Sequence, residues 1–216
     1  MNFSYLSYFI NNTTPQYGDG DAIAISQYSA ITKGDSSNSK FISMPNHVGT
    51  HIDFPKHFSV DGKTINDYPA EFWIFRHPFV VNYQAKEDEI IEFENEIKII
   101  PDNTDILLIN TGFQKYRGTE KYWKFNPGLS PKVATKLKKK CPELKAVGFD
   151  FISLSSYQNR MLGREAHKKF LVEHDILVIE DMDFSGLKSN LSELVALPLM
   201  IDQADGGPIT VIAKYE

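Results

Sequence analysis

Residues 47–57 read HVGTHIDFPKH, and no other stretch restricts the fold of this chain so tightly. Three of the six histidines fall within these eleven residues, with an aspartate and a glycine among them. A solvated loop has no need of that density, and a core strand buries imidazoles only when they are partnered. A helix would put His47 and His51 on one face. Against a helix, Pro45 and Pro55 flank the stretch, Gly49 lies inside it, and Val48, Thr50 and Ile52 are β-branched. In an extended chain, alternate side chains share a face. His47, Gly49, His51, Asp53, Pro55 and His57 then lie on one side, and Val48, Thr50, Ile52 and Phe54 pack on the other. On this reading the glycine leaves space between two histidines that converge on one point. Pro55 ends regular pairing, so His57 is expected to turn off the strand but stay near its end. Two imidazoles and a carboxylate suit Zn²⁺ or a neighbouring first-row divalent ion, and three protein ligands with an open position form the catalytic arrangement. The competing reading is a group of histidines bonded to one another or to water; the single alternating face weighs against it.

The rest of the chain supplies a frame for such a site. Its 216 residues make one large domain or two small ones, with 42% hydrophobic and 24% charged residues, ordinary globular usage. A chain of this size buries about 70% of its unfolded surface and needs no staples. The net charge of -5 argues against nucleic acid as a main partner, and the lysines at 136–140 read as a solvated helix face. The one cysteine, Cys141, excludes a disulfide framework within the chain and fits a reducing compartment. The segment MNFSYLSYFINN lacks the basic region and cleavage site of a signal peptide. No apolar run approaches the ~18 residues of a membrane span. The expectation is a soluble, cytoplasmic protein with neither a membrane nor a nucleic-acid partner.

Residues 14–21 form a turn cluster, and 22–31 read as a strand followed by a polar loop. Strands are also expected at 79–85, 105–113, 146–153 and 176–182, with two more over ALPLMID and PITVIAKYE. Ser130 and Pro131 open a helix as N-cap and first residue, and 163–174 reads as a second helix. The first half is mostly strand and loop, and strands alternate with two helices from residue 105 onward. That pattern predicts one mixed α/β domain over 1–216, with helices packed on a partly parallel sheet.

With these elements in place, the opening stretch resembles the signature H-x-G-T-H-x-D-x-P-x-H of the cyclase-like metal-dependent hydrolases, which include bacterial kynurenine formamidases and isatin hydrolases. Every fixed position is present: His47, Gly49, Thr50, His51, Asp53, Pro55 and His57. TPQYGD, LLINTG, VGFDFISL, EAHKKFLVEHDILVIEDM and ALPLMIDQADGGPITVIA resemble further family segments in a coherent order over roughly residues 14 to 213. The first of these departs from the family by lacking a second proline. The resemblance implies a swivelling β/β/α fold. It implies a divalent metal, zinc first and manganese second, as one ion or as two bridged by the aspartate. His47, His51 and Asp53 map onto metal ligands, His167 and Glu180 onto the later pair that completes the site, and His57 onto the proton-transfer residue. It also implies a homodimer or higher homo-oligomer, for which the aromatic segment NFSYLSYF is a candidate interface.

Read by themselves, the later residues leave alternatives open. His167 shares a helix face with Phe170, Leu171 and His174, as a core-edge histidine would, and His174 is a rival imidazole. Glu180 ends a buried strand, where α/β sites tend to form, but Asp181 and Asp183 are rival carboxylates. The thirteen-residue step from His167 to Glu180 is about one residue longer than the family pattern. Asp150 and Ser153 read equally as supports of the site or as strand-end turn residues. Tyr17, Trp73 and Phe113 are aromatic candidates for a pocket wall, core packing being the commoner fate, and Tyr17 is the candidate substrate contact. Asp205-Gly206-Gly207-Pro208 reads as a turn between strands, a role in the site being the lesser alternative.

The expected activity is metal-assisted hydrolysis of a C–N bond in a small amide, by resemblance that of an arylformamidase converting N-formyl-kynurenine to kynurenine and formate in tryptophan breakdown. Hydrolysis or cyclisation of another cyclic amide, lactone or polyketide is the alternative enzyme reading. A metal-binding protein without turnover is the alternative of another class, and the intact His57 counts against it.

Overall fold

The computed structural model describes residues 2–18, 20 and 23–216; the turn cluster at 14–21 and the strand expected at 22–31 fall partly outside these. Its strands are β1 (Phe3–Tyr5), β2 (Ala24–Ser29), β3 (Ser39–Ser43), β4 (His51–Asp53), β5 (Ile74–Phe75), β6 (Pro78–Asn82) and β7 (Ile90–Ile91). The second half adds β8 (Ile106–Asn110), β9 (Gly128–Leu129), β10 (Ala146–Phe149), β11 (Leu177–Glu180), β12 (Leu191–Pro198) and β13 (Gly206–Tyr215). The main sheet runs β5-β12-β13-β4-β11-β10-β8-β6, with β1 added on β13. Strands β6, β8, β10 and β11 are parallel, and every pairing from β11 through β4 to β5 is antiparallel. The path curls until β6 packs against β12, so the sheet is nearly closed. This is the mixed α/β architecture expected from the sequence.

The three inner parallel strands read ILLIN, AVGF and LVIE and are buried along almost their whole length, while β6 at the edge is half-buried. Strands covered on both faces need such unbroken apolar runs. The Pro131–Lys140 helix begins as expected: Ser130 Oγ accepts from the Lys132 amide, and Pro131 takes the first turn. Val133, Ala134 and Leu137 are buried, and three lysines close the last turn, where the helix dipole favours positive charge. The second helix differs from its expected span. It runs Arg160–His167 and continues as a π-helical segment, Lys168–Glu173. A π-turn holds one residue more than an α-turn, which accounts for the long step from His167 to Glu180. Strand β12 begins at Leu191, well before the ALPLMID segment. Among the described residues no helix is long and apolar enough to cross a membrane.

A buried ion pair ties the sheet to the loop after β8. Arg117 donates to both carboxylate oxygens of Asp181 at 2.9 and 2.8 Å, and the Tyr122 hydroxyl donates to the same group. Burial pushes the Asp181 carboxyl up, against the pull of Arg117. Removing one partner of a buried pair leaves the other uncompensated. Arg117→Met is therefore expected to lower stability by about 3 kcal/mol, the low end because Asp181 takes up a proton instead. Urea denaturation checks this; an unchanged midpoint contradicts it.

Candidate metal centre

Strand β4 lies between β11 and β13, and this register assembles the centre. His51 stands opposite Glu180 on β11 and Pro208 on β13; Asp53 stands opposite Val178 and Gly206. The Thr50 hydroxyl donates to the Asp181 carbonyl at 2.6 Å and accepts the Tyr8 amide at 3.0 Å, pinning the start of β4. Val48, Thr50, Ile52 and Phe54 are all buried, as the alternation predicted.

The one continuous extended run over 47–57 does not hold. Only His51–Asp53 is strand, and Gly49 has φ +62. The chain bends there, and His47 reaches the site from a loop. Gly49 therefore serves its backbone conformation, open to glycine at little cost, rather than the space between two rings. The close approach falls at Gly206 instead: a Cβ there would lie 2.3 Å from His47 Cε1 and 2.8 Å from the Ile52 carbonyl. After Pro55 the chain enters a 3₁₀ turn, Pro55–His57, and His57 leaves the strand but stays beside it, stacked on His47 at 3.9 Å.

Asp53 is the centre of the cluster. It is 1% exposed. Its Oδ1 lies 2.8 Å from His47 Nδ1 and 3.5 Å from His51 Nε2, and its Oδ2 lies 3.6 Å from His167 Nε2. Glu180 faces His51 at 3.5 Å and His167 at 3.4 Å. The Leu154 amide donates to Glu180 at 2.7 Å and the Ser153 hydroxyl at 3.2 Å, so Ser153 does support the cluster. Asp150 instead accepts the Thr111 amide and hydroxyl, a strand-end role.

The tautomers follow from the partners. His51 Nδ1–H donates to the Gly49 carbonyl at 2.8 Å, and His167 Nδ1–H to the Gly163 carbonyl at 2.9 Å. A carbonyl only accepts, so both Nε2 atoms turn lone pairs toward the carboxylates. Four electron-rich atoms aimed at one another in a buried site call for positive charge. The cluster answers in part with protons. Burial disfavours charge on His47, but its bonds to Asp53 and Asp205 outweigh that and push it up to about 9. Burial likewise opposes the Asp53 carboxylate, and His47 holds it far below the usual range all the same. His167 is raised, burial being outweighed by Glu180. A divalent cation fits the same donor set. Two groups share Asp53, namely His47, His51 and Asp53, and Asp53, His167 and Glu180; His47, His57 and Asp205 form a third, more exposed one, and in each the ligand atoms lie within 4.8 Å of one another. Backbone carbonyls that fix the outer nitrogen of a histidine are the usual supports of metal sites.

The rival residues lie elsewhere. His174 contacts Thr135 at 3.1 Å, Asp181 is held by Arg117, and Asp183 accepts the Ser185 amide. Trp73 and Phe113 are buried in the core, while Tyr17 lines the cavity over the centre. Burial, against the pull of Arg160, pushes the Tyr17 hydroxyl up to about 12, so it stays a donor. Two contributors were not assigned to the site from the sequence. Asp205, read there as a turn residue, accepts from His57 Nδ1 at 2.9 Å and from His47 Nε2 at 3.0 Å. Despite partial burial, those histidines hold the Asp205 carboxyl down to about 2. Asn46 orients that carboxylate through a 2.7 Å bond. The cluster opens into a cavity of about 410 Å³ whose wall includes Tyr17, Phe58, Ile152, Arg160 and Arg164. That volume is in the range of small-molecule sites.

A family model described as a putative cyclase matches residues 5–156. The kynurenine formamidase of Bacillus cytotoxicus is 26% identical over 173 residues, covering 80% of this chain and 78% of that protein. Isatin hydrolase A from Labrenzia aggregata, solved with benzyl benzoate, superposes with a TM-score of 0.82 at 21% identity, covering 99% of this chain and 93% of that one. A solved structure described as a potential metal-dependent hydrolase with cyclase activity superposes with a TM-score of 0.75 at 20% identity, covering 99% and 98%.

Proposed function

The chain belongs to the putative cyclase family, and from that premise we propose that it is a metal-dependent hydrolase of the C–N bond in a small amide, specifically an arylformamidase acting on N-formyl-kynurenine. One observation carries the reading. Asp53 is shared by two donor groups, and His57, bonded through Nδ1 to Asp205, stands beside them. The kynurenine formamidase likeness over most of that relative's length supports the substrate.

His47, His51, Asp53, His167 and Glu180 would hold one or two divalent ions, zinc or manganese. Bound there, such an ion lowers the pKa of water from 15.7 to about 7 and polarises a carbonyl. The chain's own residues do the rest. Asp205 accepts from His57 Nδ1, which fixes the tautomer and leaves Nε2 as the base facing the cavity. His57 takes a proton from the attacking water at Nε2 and returns it to the leaving nitrogen. Phe58, stacked on His167 at 4.5 Å, and Ile152 form an apolar wall for an aromatic ring. The protein works in the cytoplasm as a homodimer or higher homo-oligomer, and the exposed Phe3, Tyr5 and Phe9 supply apolar surface for the contact.

The test is the release of kynurenine from N-formyl-L-kynurenine by purified protein, with isatin in parallel. Hydrolysis of the formamide is expected. Hydrolysis of isatin alone moves the substrate to cyclic amides, and turnover of neither favours a metal-binding protein without catalysis.

A further inference from the structure

The sequence holds four arginines: Arg76, Arg117, Arg160 and Arg164. Arg76 pairs with Glu193 and Arg117 with Asp181. Arg160 and Arg164 have no carboxylate partner among the described residues, and both line the cavity over the Asp53 cluster. They share a stripe of one helix with His167, three and seven residues before it. At 1.5 Å per residue, Arg164 stands about 5 Å and Arg160 about 10 Å along the axis from His167.

Among the described residues Arg160 is positioned without an ion pair. Its guanidinium lies 4.0 Å from the Tyr157 ring centroid and 5.7 Å from that of Tyr17, and those two rings meet edge to face at 5.6 Å. A guanidinium stacked on a ring keeps its N–H edge free for a carboxylate. Among the described residues the Arg164 guanidinium contacts the Met161 sulfur, at 3.8 Å. The carboxylates of the cavity are already engaged: Asp53 and Glu180 by histidines, Asp181 by Arg117. The cavity thus has histidine and carboxylate donors at one place and, a short way off along the helix, two cations with no carboxylate partner among the described residues.

We propose that Arg160 and Arg164 form an anion subsite that selects small amides carrying a carboxylate about 5–10 Å from the scissile C–N bond. This inference rests on the hydrolase reading above and names the substrate class and the residues that choose it.

The test compares N-formyl-L-kynurenine with N-formylkynuramine, which keeps the ring, formamide and ammonium but lacks the carboxylate. Wild type is expected to favour the acid in kcat/KM by about tenfold or more, through KM. Arg160→Gln combined with Arg164→Gln is expected to erase that preference while the circular dichroism spectrum and metal content stay as in wild type. A wild-type enzyme indifferent to the carboxylate, or a preference that survives in the double variant, overturns the subsite. Calorimetric binding of kynurenine against kynuramine separates this from the hydrolase reading. If neither formamide is hydrolysed but kynurenine binds about tenfold more tightly, and only in wild type, the formamidase reading falls and the subsite stands. Equal binding of the two overturns the subsite.

Discussion

Asp53→Asn is expected to strip the protein of its divalent ion and of hydrolysis together. The substitution keeps the shape of the side chain, and β4 stays paired on both sides. It removes the one carboxylate that faces three histidines and belongs to two of the donor groups. Metal analysis should find almost no bound zinc or manganese. Hydrolysis should fall by about a thousandfold or more, since the charge stabilisation lost with the ion amounts to several kcal/mol. A variant that binds metal to full stoichiometry contradicts the assignment of Asp53 as the shared ligand.

His57→Ala is expected to separate catalysis from metal retention. His57 bonds Asp205 and stacks on His47, and the donor group it forms with those two is more exposed and does not contain Asp53. Its loss should leave metal content near wild type and lower kcat by about 10²–10⁴-fold, the contribution of a placed acid–base group. KM should move little, because the proton transfer matters only in the transition state. A metal-free His57→Ala protein contradicts the role and makes His57 a ligand. The two substitutions together distinguish a residue that holds the ion from one that moves a proton beside it.

The site was legible where its determinants are local. The spacing of His47, His51 and Asp53 lies within seven residues, and Pro55 marks where the strand must stop. Ser130 and Pro131 mark a helix start for the same reason. The bend at Gly49 was not legible, because a glycine between alternating residues fits an extended run and a left-handed bend equally well. The choice of His167 over His174 depends on which face of the helix meets Asp53 and Glu180, and periodicity alone cannot fix that face. Asp205 was read as a turn residue, since Asp-Gly-Gly-Pro has the chemistry of a turn whatever its side chain also does. Its contact with His57 spans 148 positions and exists only because β13 pairs with β4. The pairing of Arg117 with Asp181 is hidden in the same way. Strand β3, reading SKFIS, is an exposed hairpin arm without an apolar face to mark it.

Whether this cluster works as a metal centre on a formamide is decided by the turnover of N-formyl-L-kynurenine measured on purified protein, after exhaustive chelation, and after return of zinc or manganese. Hydrolysis that disappears with the ion and comes back with it is the predicted result. Hydrolysis that persists at full rate in protein shown by elemental analysis to be free of divalent metal would contradict the account.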